Sequence, residues 1–385
     1  MNVLILGKAD SVFTRDFCTN VLNPKEINTV ILSQAFPKEY EKDYENAGVR
    51  IVQWPECFLK GIKKQIKEIF FLHKKMQDLE KEIGFGEKID VLHVHYVEPL
   101  HLFYFLSFWK KANKRILTFW GSDLYTASKN KLLLFKYFLK KSSFIVLMIN
   151  NQYDDFRNKF GNKYNDKIKI IDFGNSLLNK LDIVNQTAKE ECKRYFNFPL
   201  KKIVVHIGYN ASKAQQHIEV LNSIKNLQSS ILSKMTFVFF VSYRKSNDFD
   251  IYKRQMIEIM DKAHMEYVFC DRYLQGEELA MFRRTCDIFI YGQKTDARSE
   301  SPIEYVYAGA EFICPKWLES NYELLKQGGI NFYTYDNFES LNDSVLLCLE
   351  NIDLKENKIS EQGRQRIRDE ISWDSLAEKW RSLYE

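Results

Sequence analysis

The sequence predicts an α/β protein built from two doubly wound domains, each a parallel sheet with helices on both faces. The chain has 385 residues, which exceeds the roughly 250 to 300 at which one hydrophobic core stops growing. Short apolar runs alternate with longer helix-compatible stretches, and this alternation is typical of a parallel sheet. The alternation restarts after a polar segment, 185–195, so a second domain is expected.

The predicted strands form two series separated by that polar segment. They are 3–6, 29–32, 49–52, 91–94, 116–119, 144–148 and 168–171, and then 203–207, 236–241, 266–269, 288–291 and 312–314. We place a first domain at 1–180, a second at 200–365 and a C-terminal helix at 366–385, where Trp373, Leu376, Trp380 and Leu383 recur at helical spacing. Two such domains are expected to face a cleft at the carboxyl ends of both sheets, where α/β proteins bind ligands.

Composition excludes several classes of protein. Hydrophobic residues make up 45% and aromatic residues 15%, which is globular and not disordered composition. No apolar run approaches the about 20 residues of a membrane span, and the chain opens directly on a predicted strand, so we expect a cytoplasmic location. Seven scattered cysteines without a C-x-x-C pair indicate reduced thiols and favour neither a disulfide framework nor a zinc site.

The net charge of +5 is divided unevenly along the chain. Residues 1–180 hold 29 basic against 20 acidic residues, and the remainder holds 27 against 31. In the first half, lysines alternate with aromatic residues at 60–75 and 109–141, a pattern that suits an anionic membrane surface. Solvated helix faces over aromatic core residues are the alternative interpretation. No nucleic-acid-binding motif accompanies the charge, so no nucleic-acid partner is expected.

The loop after the first strand offers polar residues to a ligand. Its Gly7 stands alone, without the G-x-G-x-x-G pattern of nicotinamide enzymes. Lys8, Asp10 and Ser11 are candidates to bind an acceptor, and an ordinary surface loop is the alternative.

Two further strands end in polar residues that are expected at the same sheet edge. His95 closes one of them and Asp123 follows the other, and either is a candidate to orient an acceptor hydroxyl or to transfer a proton. His93 and His95 share one face of their strand, which also suits a metal. Structural histidines with satisfied hydrogen bonds are the alternative.

The start of the second domain resembles a phosphate-binding turn. Gly208 follows a strand and permits close backbone approach, while Asn210 and Ser212 are expected to cap the next helix. Lys213 and that helix N-terminus would attract a diphosphate. A plain turn between strand and helix is the alternative.

The most specific signal is a pair of carboxylates eight residues apart, Asp296 and Glu304. Asp296 lies in the loop after the strand 288–291, and Pro302 suits the first turn of a helix, which places Glu304 near its start. A carboxylate at that position is a ready acceptor for vicinal sugar hydroxyls.

This pair resembles the E-x7-E motif of retaining glycosyltransferases of the GT-B fold, particularly family 4, with Asp in place of the first Glu. The resemblance implies two Rossmann-like domains, with Glu304 on the ribose of a nucleotide diphosphate sugar and Asp296 on the donor sugar. Arg298 and Ser301, in the same segment, are counted with the donor-binding residues.

Other segments resemble the family in the same order along the chain. Segment 117–123 resembles its strand ending in His-Gly-x-Asp, with Trp120 at the histidine position on the acceptor side. Segment 170–176 resembles the end of the first domain, and 371–373 resembles the entry into the crossover helix. Residues 208–221 are also similar to transferases that add an acetamidodideoxy sugar from a dTDP donor to a polyprenyl-linked glycan.

One position departs from the family's phosphate site. Tyr209 replaces the arginine of its glycine-arginine-lysine pattern, whereas Lys213 matches the lysine. Arg244, Arg298 and His206 remain open as sources of the missing cation.

The resemblance implies retaining transfer of a hexose-type sugar to a hydroxyl acceptor. We expect a polyprenyl-linked glycan of bacterial cell-envelope polysaccharide synthesis as acceptor, with peripheral attachment to the inner face of the membrane. Neither metal nor other cofactor is expected, since the D-x-D of Asp248 and Asp250 lies in a polar loop. A sugar-nucleotide 2-epimerase and a non-catalytic nucleotide-binding module are the alternatives.

Overall fold

The computed structural model describes residues 1–22, 26–54, 76–86, 88–296, 298–352 and 359–385. The predicted basic segment 60–75 and Cys57 lie outside these residues. The described chain forms two compact units, one of Met1–Gly174 with Trp373–Glu385 and one of Asn175–Ser372.

Both unit boundaries differ from those expected from the sequence. The polar segment taken as a linker folds into the helices Leu178–Val184 and Lys189–Tyr195, which belong to the second unit. Their apolar residues, such as Leu181 and Cys192, are buried in that unit's core. The segment 366–385 is also not one helix, because Ser372 separates Glu361–Ile371 of the second unit from Trp373–Arg381 of the first.

The first unit contains a parallel sheet in the order β3-β2-β1-β4-β5-β6-β7. Its strands are β1 Asn2–Leu6, β2 Asn28–Ser33, β3 Val49–Gln53, β4 Ile89–His95, β5 Ala112–Thr118, β6 Phe144–Leu147 and β7 Ile168–Ile170. The helices are Val12–Val21, Glu41–Asn46, Pro99–Phe108, Ser122–Tyr125, Lys129–Lys141, Asn150–Phe160 and Trp373–Arg381, with residues 76–83 also helical. The strand order reverses between β1 and β4, which makes the carboxyl ends of these strands the switch point of the sheet.

The C-terminal helix packs on the first unit through its apolar face. Trp373 and Trp380 are buried, and the Trp380 indole N–H donates to the Asp172 carbonyl (2.8 Å). A Cβ at Gly174 would lie 2.3 Å from the Trp373 ring, so only glycine fits beneath that ring. The crossover helix predicted from the sequence is therefore confirmed.

The second unit contains a parallel sheet in the order β10-β9-β8-β11-β12-β13. Its strands are β8 Ile203–Ile207, β9 Met235–Phe240, β10 Glu266–Cys270, β11 Ile288–Ile290, β12 Glu311–Pro315 and β13 Tyr333–Tyr335. The helices are Leu178–Val184, Lys189–Tyr195, His217–Ile224, Ser229–Leu232, Phe249–Lys262, Gly276–Arg284, Glu300–Tyr307, Glu323–Gln327, Leu341–Asn351 and Glu361–Ile371. The strand order reverses between β8 and β11, so two parallel α/β sheets are confirmed, each with one switch point.

Candidate functional site

The loops after β8 and β11 meet at the switch point of the second sheet. The hydroxyls of Tyr209 and Ser299 are 2.7 Å apart, and the amide of Gln215 donates to Gln293. A Cβ at Gly292 would lie 2.7 Å from the Gln215 carbonyl oxygen, which shows how closely the two loops approach. The tertiary fold thus brings the two donor-binding segments predicted from the sequence side by side.

Asp296 holds the loop that follows β11. Its carboxylate accepts hydrogen bonds from the Ser299 backbone N–H (2.8 Å) and hydroxyl (2.9 Å). The Tyr322 hydroxyl donates to the same carboxylate at 2.7 Å. These contacts fix the loop in front of the next helix, and a contact with a donor sugar stays a prediction.

Glu304 lies in the helix Glu300–Tyr307, with Pro302 in its first turn as expected. One carboxylate oxygen accepts from the Asn175 amide (3.1 Å) and the other from Arg283 Nε (3.0 Å). Arg283 also donates to the Ser301 hydroxyl at 3.1 Å. The arginine and the glutamate are both buried, so this is a desolvated ion pair beside the switch point.

Arg283 and Asn175 were missed by sequence reasoning. Arg283 stands near the end of the helix Gly276–Arg284, away from any strand's carboxyl end, so no local pattern marks it. Gln293 was also missed, although its place two residues beyond the strand predicted to end at 291 could have indicated it.

The loop after β8 differs from its predicted capping pattern. Asn210 accepts from the Ser212 backbone N–H (2.8 Å) and Ser212 from that of Ala214 (3.3 Å), so both hold the turn Lys213–Gln215. The helix His217–Ile224 instead begins after Gln216 in a left-handed conformation, without a side-chain cap. The expectation that Asn210 and Ser212 cap this helix is wrong, because a short turn intervenes.

Gly208 is required by packing as well as by backbone conformation. Its φ is +66°, and a Cβ would lie 2.8 Å from Nε2 of the buried His217. Among the described residues, both ring nitrogens of His217, the Asn210 amide nitrogen and the Gln216 amide oxygen are buried without a hydrogen-bond partner. Polar atoms therefore remain unused at this loop.

Lys213 forms an ion pair with Asp248 across the loops after β8 and β9. Both side chains are about half exposed, and the Lys213 ammonium also lies 5.6 Å from the centre of the Tyr252 ring. Lys213 lowers the pKa of Asp248 by this hydrogen bond. Asp248 of the D-x-D therefore has a lysine partner.

His206 is not the missing cation. Its ring nitrogens lie 2.9 Å from the Tyr305 hydroxyl and 3.2 Å from the Thr285 hydroxyl, inside the core. Burial holds the pKa of His206 well below its usual value, so the ring is neutral. The sequence does not reveal that the His206 side chain points into the core, because its partners Tyr305 and Thr285 lie far along the chain.

The two arginines have different surroundings. Arg244 is exposed in the loop after β9, and its charge opposes the rise in pKa that burial causes at Tyr209. The Tyr243 carbonyl accepts from the Ala211 backbone N–H (3.0 Å), which joins the loops after β8 and β9. Burial lowers the pKa of Arg298, whose charged neighbours include Glu300 and Glu370. Of the three candidate cations, Arg244 is the one whose charge acts on Tyr209, and its role in place of the missing arginine stays a prediction.

In the first unit, the loop after β1 reaches the loop after β4. The Lys8 ammonium lies 4.4 Å from the centre of the Tyr96 ring, and Tyr96 has a φ of +62°. Asp10 is exposed, and the Ser11 side chain makes no capping bond to the helix that follows. These three predicted acceptor-binding residues thus lie at the first sheet's switch point.

His93 and His95 are wholly buried side by side on β4. His93 contacts the Tyr384 hydroxyl and the Thr118 hydroxyl, each at 2.7 Å, and His95 Nε2 lies 3.3 Å from His93 Nδ1. Burial lowers the pKa of His95 to about 3. His95 is therefore neutral near pH 7, and the same burial makes its ring a weak base.

Asp123 joins the loops after β4 and β5. Its carboxylate accepts from the backbone N–H groups of Val97 (2.8 Å), Trp120 (3.0 Å) and Leu124 (3.1 Å). Burial raises the pKa of Asp123 to about 7, although these donors favour the charged form. These hydrogen bonds show that Asp123 holds the two loops together. A catalytic role for Asp123 stays a prediction.

Trp120 lies in an aromatic cluster at the same edge. Its ring centre is 5.4 Å from Phe13, 5.6 Å from Tyr96 and 5.7 Å from Phe173. Its indole N–H is buried and has no hydrogen-bond partner among the described residues. Trp120 thus provides apolar surface beside the polar loop of Lys8.

The described residues offer neither a metal-binding cluster nor a membrane-spanning helix. They contain no group of three or more His, Cys, Asp or Glu side chains placed to hold a metal ion. Within the same residues, no helix is long and apolar enough to cross a bilayer.

The first unit matches a known family. Residues 2–150 match the sequence model of the family described as Glycosyl transferase 4-like. Curated protein sequences give no match.

Solved structures match nearly the whole chain. A glycosyltransferase from Rickettsia africae has a TM-score of 0.74 at 15% identity, covering 100% of this chain and 97% of the other. Anabaena HepE, solved in complex with UDP and glucose, has a TM-score of 0.73 at 10% identity, with 99% and 98% coverage. Sucrose-phosphate synthase from Thermosynechococcus elongatus has a TM-score of 0.72 at 11% identity, with 100% and 98% coverage. The chain therefore has the GT-B fold, and the predicted resemblance is confirmed at that level.

Proposed function

We propose that this protein is a glycosyltransferase that moves a sugar from a nucleotide diphosphate sugar to a hydroxyl acceptor. The observation that carries the proposal is the meeting of two loops at the second switch point, where Tyr209 and Ser299 are 2.7 Å apart. α/β sheets bind nucleotides at such switch points. The structure of HepE with UDP supports a uridine nucleotide as the first donor to test.

The proposed donor site has a cationic side and a carboxylate side. Lys213 and Arg244, on the loops after β8 and β9, would stabilise the negative charge of the leaving diphosphate. Gly208, Asn210 and Ser212 shape the turn that presents Lys213. This part of the mechanism is electrostatic and positional, and it assigns no step to a metal.

The other side is the segment from Asp296 to Glu304. We assign the ribose to Glu304 and the donor sugar to Asp296, with Ser301 and Arg298 beside them. Glu304 still has lone pairs available beyond its bonds to Arg283 and Asn175, since each carboxylate oxygen accepts more than one hydrogen bond.

The acceptor side is assigned to the first unit. Lys8, Asp10, Ser11 and Trp120 are proposed to bind the acceptor at the carboxyl ends of β1 and β4. His95 is proposed to orient the acceptor hydroxyl, because its neutral ring keeps Nδ1 without a partner among the described residues. Burial lowers its pKa to about 3, so the ring is too weak a base to take the hydroxyl proton near pH 7. We further propose that the acceptor is a polyprenyl-linked glycan of the cell envelope, that the transfer retains the configuration of the sugar, and that the protein attaches peripherally to the membrane. The sequence resemblance and the basic first unit support these points.

The first experiment tests nucleotide binding by calorimetry with UDP and uridine. Lys213→Ala should weaken UDP binding about 10- to 100-fold, the value of one to two lost charge-assisted contacts, while changing uridine binding little. Lys234→Ala, which removes an exposed lysine of the same unit, is the matched control. Equal losses for UDP and uridine in Lys213→Ala would remove the diphosphate assignment.

The second experiment identifies the reaction. The protein is incubated with a panel of nucleotide sugars, with and without a lipid extract, and the products are analysed by mass spectrometry. A glycosylated lipid with release of nucleoside diphosphate supports the proposal. A changed sugar nucleotide without acceptor indicates an epimerase, and binding without turnover across the panel indicates a non-catalytic module.

A further inference from the structure

The helix Lys129–Lys141 exposes large apolar side chains on the surface of the first unit. Leu133 is 63% exposed, Tyr137 59% and Leu134 42%. The opposite face of the helix is buried through Phe135 and Phe138. This helix therefore has one apolar face in the core and a second one in solvent, which a monomeric soluble surface rarely carries.

The exposed apolar residues are surrounded by positive charge. The helix contains five lysines and no acidic residue: Lys129, Lys131, Lys136, Lys140 and Lys141. At about 100° per residue, Lys129, Lys136 and Lys140 lie within about 60° of Leu133 around the helix axis. Apolar and basic side chains thus face the same direction.

We propose that this exposed face is the surface by which the protein docks on an anionic lipid bilayer. Leu133, Leu134 and Tyr137 enter the headgroup region, and the lysines contact lipid phosphates. The charge argues against a second copy of the chain, because two such faces repel each other. The inference rests on the proposed function in one respect: a lipid-linked acceptor lies in the membrane, so the enzyme has to reach it there.

A neighbouring cluster extends the basic surface. Lys141 lies 4.2 Å from the centre of the Trp109 ring, and Lys110 and Arg115 each lie 5.9 Å from it. A tryptophan ringed by cations is suited to the polar boundary of a bilayer, where its ring sits at headgroup level. We take the helix as the docking surface and this cluster as its flank.

The test is co-sedimentation of the full chain with vesicles of phosphatidylcholine, with and without phosphatidylserine, over a salt series. The protein should bind the anionic vesicles and lose binding as salt rises. Changing Lys129, Lys136 and Lys140 together to Gln should weaken binding about 100-fold at low salt, from about fivefold for each lysine. Leu133→Ser and Tyr137→Ser should each weaken it about tenfold, because each removes apolar area from the interface.

Matched controls separate this face from general charge and hydrophobicity. Lys225, Lys234 and Lys262 to Gln remove the same charge from exposed positions of the second unit, and Ile251→Ser removes an apolar side chain that is 54% exposed. Both should bind as the unchanged protein does. Equal losses in these controls, unchanged binding in the helix variants, or no preference for anionic vesicles would overturn the proposal.

The assay also separates this proposal from the proposed function. Vesicle binding is measured without donor or acceptor, so a failed sugar transfer leaves it standing. Conversely, unchanged UDP affinity in a helix variant that no longer binds vesicles shows that docking and donor binding are independent.

Discussion

Breaking the ion pair between Arg283 and Glu304 should destabilise the second unit strongly. Arg283 Nε lies 3.0 Å from the Glu304 carboxylate, and the two side chains are 2% and 10% exposed. Arg283→Met keeps most of the volume but leaves the carboxylate without a cation, and Glu304→Gln leaves the guanidinium without an anion. Removing one partner of a buried pair costs about 3–5 kcal/mol, because the remaining charge is uncompensated.

That cost is large enough to measure by thermal unfolding. For a domain of this size, 1 kcal/mol shifts Tm by about 2–4 °C, so each single variant should lower Tm by about 6–20 °C. Glu304→Gln should lie near the lower limit, because the glutamine oxygen still accepts one hydrogen bond from Arg283 or Asn175. Differential scanning calorimetry of the full chain gives the values.

The double variant decides between an ion pair and two unrelated packing defects. With both charges removed, Arg283→Met with Glu304→Gln should cost clearly less than the sum of the single changes, with a coupling of about 1–3 kcal/mol. Costs that add to within about 0.5 kcal/mol would refute the pairing. Glu319→Gln, a carboxylate of an exposed pair with Lys326, is the control and should change Tm little.

Three further perturbations test the packing and the buried histidines. Gly174→Ala places a Cβ against the Trp373 ring and should cost about 1–3 kcal/mol, which calorimetry would contradict if Tm were unchanged. Gly208→Ala adds a Cβ at positive φ beside His217 and should lower the free energy of unfolding by at least about 1–2 kcal/mol. Gly86 also has a positive φ but has open space around it, so Gly86→Ala should lose only the stability due to the strained backbone. Low pH should destabilise the fold, because buried histidines stay neutral in the folded chain while the unfolded chain binds protons below about pH 6.5. These histidines are His93, His95, His101, His206 and His217. Each histidine should lower the free energy of unfolding by up to about 1.4 kcal/mol per pH unit between pH 6 and pH 5. Among the described carboxyl groups only Asp123 has a raised pKa, so it alone gains stability as the pH falls. Equal Tm values at pH 7.5 and pH 5 would contradict the expectation.

The strands were predictable where the chain marks them with continuous apolar runs. Val3 to Leu6 and Val204 to Ile207 are buried on both faces of their sheets, so sequence alone identifies them. β13 was missed because it is a three-residue edge strand, Tyr333–Tyr335, with no such run. Periodicity also could not separate a polar linker from the helices Leu178–Val184 and Lys189–Tyr195, whose burial depends on the second unit's core.

The candidate site was predictable only in part. The spacing from Asp296 to Glu304 and the position of Pro302 are local features, so the sequence identified the loop and the helix start. The partners of these carboxylates come from far along the chain. Arg283 and Asn175 reach Glu304 from 21 and 129 residues away, and no local pattern reports such a contact.

The sequence by itself determined the alternation of strands and helices and the eight-residue carboxylate spacing, because these depend on neighbouring residues. Only the tertiary structure decided which polar residues are buried and paired. His206 and Lys213 look alike as candidate cations in the sequence, yet the first is neutral in the core and the second is exposed beside Asp248. The physical reason is that charge state and hydrogen bonding depend on desolvation and on distant partners, which are fixed only when the sheet order brings separate loops together.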